Sequence, residues 1–441
     1  MKRLLPLLLC AVLALFCATT AQAAGVSITL TASEYALHYA FDAGAQDPFV
    51  ILEYATPAEK GWMMLYSEDG HFEGDVSLAY SGAGGKTSVA LTSARTTGSI
   101  GKASTTLPKA ADYQKPTGKS NAKVMDFVLT ETPEGFHYAF NAAGTDYMLL
   151  YWRSKEQTVT QPVYPDENGH YEGDVVSELT FARTQFTVQV KSGSGSMKKE
   201  ATVRKGYQAP EAPQRQEGRL SGVTVCIDAG HQENGRFVNE PIGPGLSGST
   251  SGKGGMAQGT KTNRRESIVC LEIGMLLRDE LLRQGANVIM TREDQTTFHT
   301  NIERCEIAEA GGAQIMLRLH CNNSSNRSKR GIQVYGPLNS DYAKAVADAD
   351  TYREMGQKLL DAMKTRVGMT LANSTGMVRL NDNYVGNNWA KMMCFLVEMG
   401  YLSNPAEEYL LVTPVYQQWL AEGMADGVYE IAVARGWVQA Q

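Results

Sequence analysis

The sequence predicts two kinds of architecture in one chain. Residues 221–441 read as an α/β domain with a doubly wound, mostly parallel sheet. Two all-β, sandwich-like repeat modules, at 25–110 and 124–205, precede it. Three observations predict this. After about Ser221, short apolar runs alternate with segments of helical period, the pattern of βα units. Before it, Leu37-His-Tyr-Ala-Phe41 returns as Phe136-His-Tyr-Ala-Phe140, and Gly70-His-Phe-Glu-Gly-Asp-Val76 returns as Gly169-His-Tyr-Glu-Gly-Asp-Val175, both 99 residues later. Between the two regions, residues 206–220 are polar and proline-containing and read as a linker. A length of 441 residues also calls for more than one hydrophobic core.

Residues 1–23 read as a secretory leader. Lys2-Arg3 is a positive start, Leu4 to Ala18 an apolar core too short for a membrane span, and Ala21-Gln22-Ala23 a small-x-small cleavage site. No later stretch is apolar enough to span a bilayer. The expectation is an exported protein, secreted or held in a bacterial cell envelope, with no membrane span once the leader is gone. A formal charge of −6 and the lack of a polybasic run argue against a nucleic-acid partner. Five cysteines remain after the leader: Cys226, Cys270, Cys305, Cys321 and Cys394. An odd number does not make a disulfide framework, and Cys226 and Cys394 sit in apolar strands as small buried hydrophobes. One internal bridge remains open.

Within each module the apolar residues alternate. Leu37, Tyr39 and Phe41 share one face, as do Phe136, Tyr138 and Phe140. Asp69-Gly70 and Asn168-Gly169 are hairpin-turn signals. His38/His137, His71/His170, Glu73/Glu172 and Asp75/Asp174 recur with the repeat. They recur either because the fold does or because the modules share a metal or glycan site. Attachment to a cell-surface polymer and a plain spacer are the two roles considered for the modules.

In the α/β region, strands are expected at Val223–Ile227, Asn287–Thr291, Gln314–Leu319, Gly331–Tyr335 and Met392–Val397. The first helix should run from about Arg264 to Gln284 and stop at Gly285. A second starts near Ile302 behind a Thr300–Glu303 capping box, and a third covers roughly Tyr342–Arg366. Asn404-Pro405 opens a short helix and Thr413 the last one. The Gly- and Ser-rich stretch from Gln232 to Asn263 has no helical period, as expected of a lid, a binding loop or a disordered segment.

Four chemically competent side chains fall on one rim of this sheet. His231 follows the first strand through the turn Asp228-Ala-Gly230. His320 ends the Gln314–Leu319 strand, and Glu398 ends the Met392–Val397 strand. Glu266 opens the first helix, whose N-terminus faces the same edge. Two imidazoles and one carboxylate suit one zinc ion with a position left for water. A second, non-ligating carboxylate can then move the proton, a role that Glu398 fits. Glu266 has a plainer alternative as the partner of Asn263 in a capping box. Glu272 lies on another helix face, and His299 reads as a loop residue.

At these residues the chain resembles the zinc-dependent N-acetylmuramoyl-L-alanine amidases of the amidase 3 family. Ile227-Asp-Ala-Gly-His231, Glu266-Ser-Ile-Val-Cys-Leu271, Thr291-Arg-Glu-Asp294, Arg318-Leu-His-Cys-Asn322 and Val397-Glu-Met-Gly-Tyr-Leu-Ser-Asn404 stand in the family's order over residues 223–435. Cys270 stands where Asn is common, Cys321 replaces the usual Ala, and the Gln232–Asn263 loop is longer than in most members. The resemblance implies that His231, Glu266 and His320 bind zinc, and that Glu398 is the catalytic acid/base. The substrate it implies is peptidoglycan, cut at the lactyl–L-Ala amide. A zinc peptidase acting on stem peptides, or an inactive wall-binding protein, are the alternatives. The resemblance does not extend to the β modules.

Overall fold

A computed structural model describes residues 19–21, 26–110, 123–205 and 210–440, except positions 34–35, 46, 58–59, 79–83, 97, 133–134, 144–147, 154–157, 177–183, 192–196, 233–237, 251–254 and 368–376. Most of the expected leader lies outside the described residues. The chain divides into two compact units, Met1–Thr92 with Ser99–Pro116, and Ser93–Gly98 with Thr117–Gln441.

In the first unit the described elements are all strands: β1 (Thr19–Ala21), β2 (Ile28–Ala32), β3 (Ala36–Asp42), β4 (Phe49–Ala55), β5 (Lys60–Tyr66), β6 (His71–Ser77), β7 (Gly85–Ser93) and β8 (Ser99–Leu107). They form two four-stranded sheets, β1-β2-β3-β6 and β5-β4-β7-β8. Strand alternation places Leu37, Tyr39 and Phe41 in a core shared with Val50, Leu52, Val89 and Leu91 of the other sheet.

The second unit opens with β9 (Val124–Thr132), β10 (Gly135–Ala142), β11 (Met148–Arg153), β12 (Thr158–Val163), β13 (His170–Val176), β14 (Thr184–Lys191) and β15 (Met197–Lys205). These make sheets β13-β10-β9 and β12-β11-β14-β15. Register is preserved between the copies: His38 faces Asp75 across β3–β6, and His137 faces Asp174 across β10–β13.

The Asp-Gly and Asn-Gly turns are present, but they do not close hairpins. β5 and β6 belong to different sheets, and so do β12 and β13. Each turn is a sheet-to-sheet corner. Gly70 and Gly169 take φ of +83° and +77°, and a Cβ on Gly70 would lie 2.2 Å from the Gly44 carbonyl carbon. The dipeptide specifies the backbone bend, while side-chain burial decides which sheet receives the next strand.

Residues 210–218 of the expected linker are fastened to the α/β domain. Arg215 Nη1 donates to Gly285 O at 2.9 Å, the Gln216 N–H to Leu282 O at 3.0 Å, and Arg278 Nη2 to Pro210 O at 3.1 Å.

The α/β domain contains β16 (Thr224–Ala229), α1 (Glu266–Arg283), β17 (Asn287–Met290), α2 (Asn301–Ala310), β18 (Ile315–Asn322), β19 (Gln333–Gly336), α3 (Asp341–Val346), α4 (Ala349–Val367), β20 (Met377–Leu380), α5 (Val385–Trp389), β21 (Met393–Tyr401), α6 (Pro405–Leu411) and α7 (Pro414–Ala434). Sheet order is β17-β16-β18-β21-β19-β20. It is parallel except where β19 meets β21. Cys226 packs with Cys305 and Ala308 of α2, whereas Ile227 and Ala229 lie under Gly274 of α1, so helices cover both faces.

The Thr300–Glu303 capping box forms, and Asn404 caps α6 with Pro405 behind it. The expected third helix is broken in two, because Ala347 takes an extended backbone (φ −164°) between α3 and α4. β20 and α5 were not anticipated; each is four or five residues long, too short to display a period. All five cysteines are free and buried.

Candidate metal centre and active site

β16 ends at Ala229, beyond the expected strand end at Ile227 and inside the expected turn, so Asp228 lies within the strand. Gly230 follows at close quarters. A Cβ there would lie 2.4 Å from Leu319 O and 2.6 Å from His320 Cε1, so only glycine fits. His231 then takes φ +58°, a left-handed backbone that a residue with a side chain seldom holds outside functional sites. Its ring stands edge-on to His320, with centroids 4.9 Å apart and planes at 80°.

Glu266 is the first residue of α1, and the capping box with Asn263 is not made. The N-cap is Arg265, with no side-chain cap bond. The Glu266 carboxylate turns inward. Oε1 lies 2.9 Å from His320 Nδ1 and 3.2 Å from His231 Nε2, and it accepts the Cys321 N–H at 3.0 Å. Oε2 accepts the Ala257 N–H at 2.7 Å. One ligand-capable atom from each of His231, Glu266 and His320 lies within 4.8 Å of the others. A tetrahedral ion with bonds of roughly 2.0–2.1 Å has donor–donor edges of about 3.3 Å. The observed contacts are close to that size.

His320 and Glu398 sit inside their strands, which run to Asn322 and Tyr401, beyond the expected ends at Leu319 and Val397. They occupy the same rung of the β18–β21 pair. Glu398 Oε2 is buried and, among the described residues, has no hydrogen-bond partner. Burial, and then the charge of Glu266, push the Glu398 carboxyl up to about 8. Burial lowers the His320 imidazole, which favours the neutral, ligating form. Burial would raise Glu266, but hydrogen bonds from His231 and then His320 outweigh it and hold that carboxyl well below the usual range.

Two imidazoles and a carboxylate therefore face one point, with a second carboxylate unpartnered beside them. A divalent cation fits this arrangement of ring nitrogens and carboxylate oxygens. Glu272 takes no part, being bonded to Arg264 and, at 2.9 Å, to Gln417 Nε2.

Sequence reasoning missed the scaffold that holds this rim. Asp228 is fully buried; Oδ2 accepts from Arg318 Nε at 2.8 Å, and Oδ1 from Thr291 Oγ1 at 2.8 Å and from Arg304. Arg304 also donates to Ala229 O at 2.9 Å and His231 O at 3.2 Å, tying the strained backbone to α2. The signal was available in Arg318, since an arginine amid the apolar Ile315–Leu319 run requires a buried acid.

Asp228→Asn should cost about 3–5 kcal/mol by leaving two guanidiniums undercompensated, read as a lower urea midpoint at constant m. Burial raises the Asp228 carboxyl, but Arg304 and then Arg318 overcome this and hold it well below its ordinary value. Its stabilisation is therefore complete above the unfolded pKa of about 3.9 and is lost as pH falls below that. The asparagine variant should show a shallower acid transition than the parent.

The long loop is pinned at both described ends rather than free. Glu240 accepts from the Asn301 and Ile302 N–H groups at the start of α2 (3.2 and 2.8 Å). Glu408 accepts from the N–H groups of Thr260 and Lys261 at 2.6 Å each, and from that of Thr262. Val238, Glu240 and Met256 of this loop help line a cavity of about 830 Å³ that contains the His–Glu–His group and Glu398. That volume suits a substrate of moderate size. His299 is a loop residue, as expected, and lines the same cavity.

The amidase 3 family, described as N-acetylmuramoyl-L-alanine amidase, matches residues 225–430. The C-terminal half of this chain is an amidase 3 domain. The germination-specific N-acetylmuramoyl-L-alanine amidase of Bacillus subtilis is 26% identical over 231 residues, covering 49% of this chain and 83% of that protein. The probable cell wall amidase LytH of Staphylococcus aureus is 27% identical over 218 residues, covering 48% of this chain and 60% of that protein. Among solved structures, the apo form of Ami1 from Mycobacterium abscessus is 21% identical, with a TM-score of 0.44 over 48% of this chain and 99% of its own. All of these matches leave about half of this chain uncovered. Among the described residues, no helix is long and apolar enough to cross a membrane.

Proposed function

We propose that this chain is an exported zinc-dependent N-acetylmuramoyl-L-alanine amidase that hydrolyses the lactyl–L-Ala amide of peptidoglycan. The observation that carries this reading is the unpartnered, buried oxygen of Glu398 beside the His231–Glu266–His320 group. Those three residues would hold one zinc ion. When bound, the ion supplies a Lewis acid that polarises the amide carbonyl and acidifies water. Glu398 takes the proton from the water that adds to the carbonyl carbon, then gives it to the departing nitrogen as the C–N bond breaks. The products are a lactyl carboxylate on the glycan and a free L-Ala amine on the peptide. Arg304, through its bonds to Ala229 O and His231 O, keeps the first ligand in place. We read residues 1–23 as a leader, 25–110 and 124–205 as sandwich modules that attach to a surface polymer, and 221–441 as the catalytic domain. Action outside the cytoplasmic membrane is consistent with the leader.

Mass spectrometry of purified peptidoglycan digested with the full-length protein tests the bond assignment. The expected result is glycan with free lactyl carboxylate and stem peptides beginning at L-Ala. New termini inside the stem peptide would make it a peptidase, and binding without cleavage would make it a wall-binding protein.

A further inference from the structure

We propose that the exposed face of each β module binds a divalent transition-metal cation such as zinc, through His38, Glu73 and His71 in the first module and His137, Glu172 and His170 in the second.

In the first module, His38 Nε2 lies 3.3 Å from Glu73 Oε1, and His71 Nε2 lies 3.7 Å from Glu73 Oε2. The other nitrogen of each ring is already committed. His38 Nδ1 is 3.1 Å from Asp75 Oδ1, and His71 Nδ1 is 2.7 Å from Asp42 Oδ1. The second module repeats this. His137 Nε2 is 3.2 Å from Glu172 Oε1 and His170 Nε2 is 3.8 Å from Glu172 Oε2. His137 Nδ1 is 2.9 Å from Asp174 Oδ1 and His170 Nδ1 is 2.9 Å from Asn141 Oδ1.

The tautomers decide the chemistry. A carboxylate oxygen can only accept, so each Nδ1 facing an aspartate carries the hydrogen. At His170 the partner is an amide, whose orientation is set by its own nitrogen donating to Asp126 Oδ2 at 3.1 Å. Its oxygen therefore faces His170, and that Nδ1 donates as well. In the neutral rings every Nε2 then presents a lone pair to a glutamate oxygen that also has none to give. At His38 and His137 lone pair faces lone pair at 3.3 and 3.2 Å, and a cation between the two groups, a proton or a metal ion, resolves it. Acceptors on the far nitrogen of metal-bound histidines are the usual means of fixing the ring and raising its basicity. The change from Asp42 to Asn141 keeps an acceptor at that place in both copies.

Each glutamate lies between its histidines, one oxygen toward each ring, so these groups are wider than the His231–Glu266–His320 group. All six ligating side chains are on exposed or half-exposed faces, with side-chain exposure of 30–59%. Rotation of the imidazoles onto a shared ion meets no packed core. Two nitrogens and a carboxylate favour zinc, copper or nickel over calcium or magnesium.

Zinc binding to the full-length protein, measured by equilibrium dialysis and elemental analysis with Zn²⁺ as the only probe, tests this. One equivalent per module is expected in addition to that of the amidase 3 domain. Glu73→Gln and Glu172→Gln should each remove one equivalent, with unchanged thermal unfolding and unchanged hydrolysis of soluble muropeptides. Asp42→Ala should weaken its site by about 10–100-fold while leaving the other sites alone. Binding of the amidase-domain equivalent only, or stoichiometry unchanged in both glutamine variants, would overturn the proposal. The first result would mean that imidazolium–carboxylate pairs fill these faces, and the second that the extra zinc binds elsewhere. His320→Ala removes only the amidase-domain equivalent, so failure here and failure of the amidase reading are separable.

Discussion

Replacing Glu398 with glutamine is expected to lower peptidoglycan hydrolysis by about 10²–10⁴-fold, the range that general acid–base catalysis contributes, while metal content stays at the parent level. The substitution keeps the shape of the side chain and removes only its ability to take and return a proton. It should not unfold the protein, because among the described residues Oε2 has no hydrogen-bond partner to lose. The direction of the stability effect is itself informative. The folded carboxyl is raised to about 8 by burial and then by Glu266. In metal-free protein the folded state therefore binds the extra proton, and this stabilisation fades as pH rises from the unfolded value of about 4.3 through 8. Metal-free Glu398→Gln should accordingly be at least as stable as the parent at pH 8. A residue that merely supported the fold would instead lower the midpoint. Activity within a few-fold of the parent would remove Glu398 from the mechanism.

Replacing His320 with alanine is expected to abolish hydrolysis by a different route, through loss of the metal. A direct ligand should cost more than the roughly 10–100-fold in affinity that an outer-shell partner costs, so zinc should dialyse away at concentrations that leave the parent loaded. Glu266 should stay in place in this variant, because the Cys321 and Ala257 N–H groups still hold its two oxygens. His299→Ala is the matched comparison. That residue lines the same cavity but lies outside the His–Glu–His group, so its loss should leave the metal bound. Retention of zinc in His320→Ala together with full hydrolysis would end the ligand assignment.

Much of this site was legible in the order of residues, for reasons particular to each position. Val223–Ile227 is β-branched, apolar or small throughout, which marks a strand covered on both faces, and Gly230 before His231 marks a bend at its carboxyl end. The Thr300–Glu303 capping box was readable because both bonds are local. Glu266 was ambiguous in sequence because one carboxylate can cap its own helix or reach across to another strand. The choice fell to the His320 imidazole and the Cys321 N–H, which are more than 50 positions away in the chain, and to the His231 imidazole on another strand's end. The same limit applies to the Asp-Gly corners, where local chemistry sets a bend without naming its destination.

The sequence alone determined most of the strands and helices of the α/β domain, though not β20, α5 or the break between α3 and α4, together with the place of the repeat and the four side chains that reach the rim. Those properties depend on periodicity, turn residues and burial preference, all of which act over a few residues. Tertiary structure alone decided the strand order that puts His320 and Glu398 on one rung, the Asp228–Arg304–Arg318 lattice beneath them, and the anchoring of the long loop by Glu240 and Glu408. Each of these pairs a buried charge with a partner far along the chain, and only the folded sheet brings such partners within hydrogen-bonding distance.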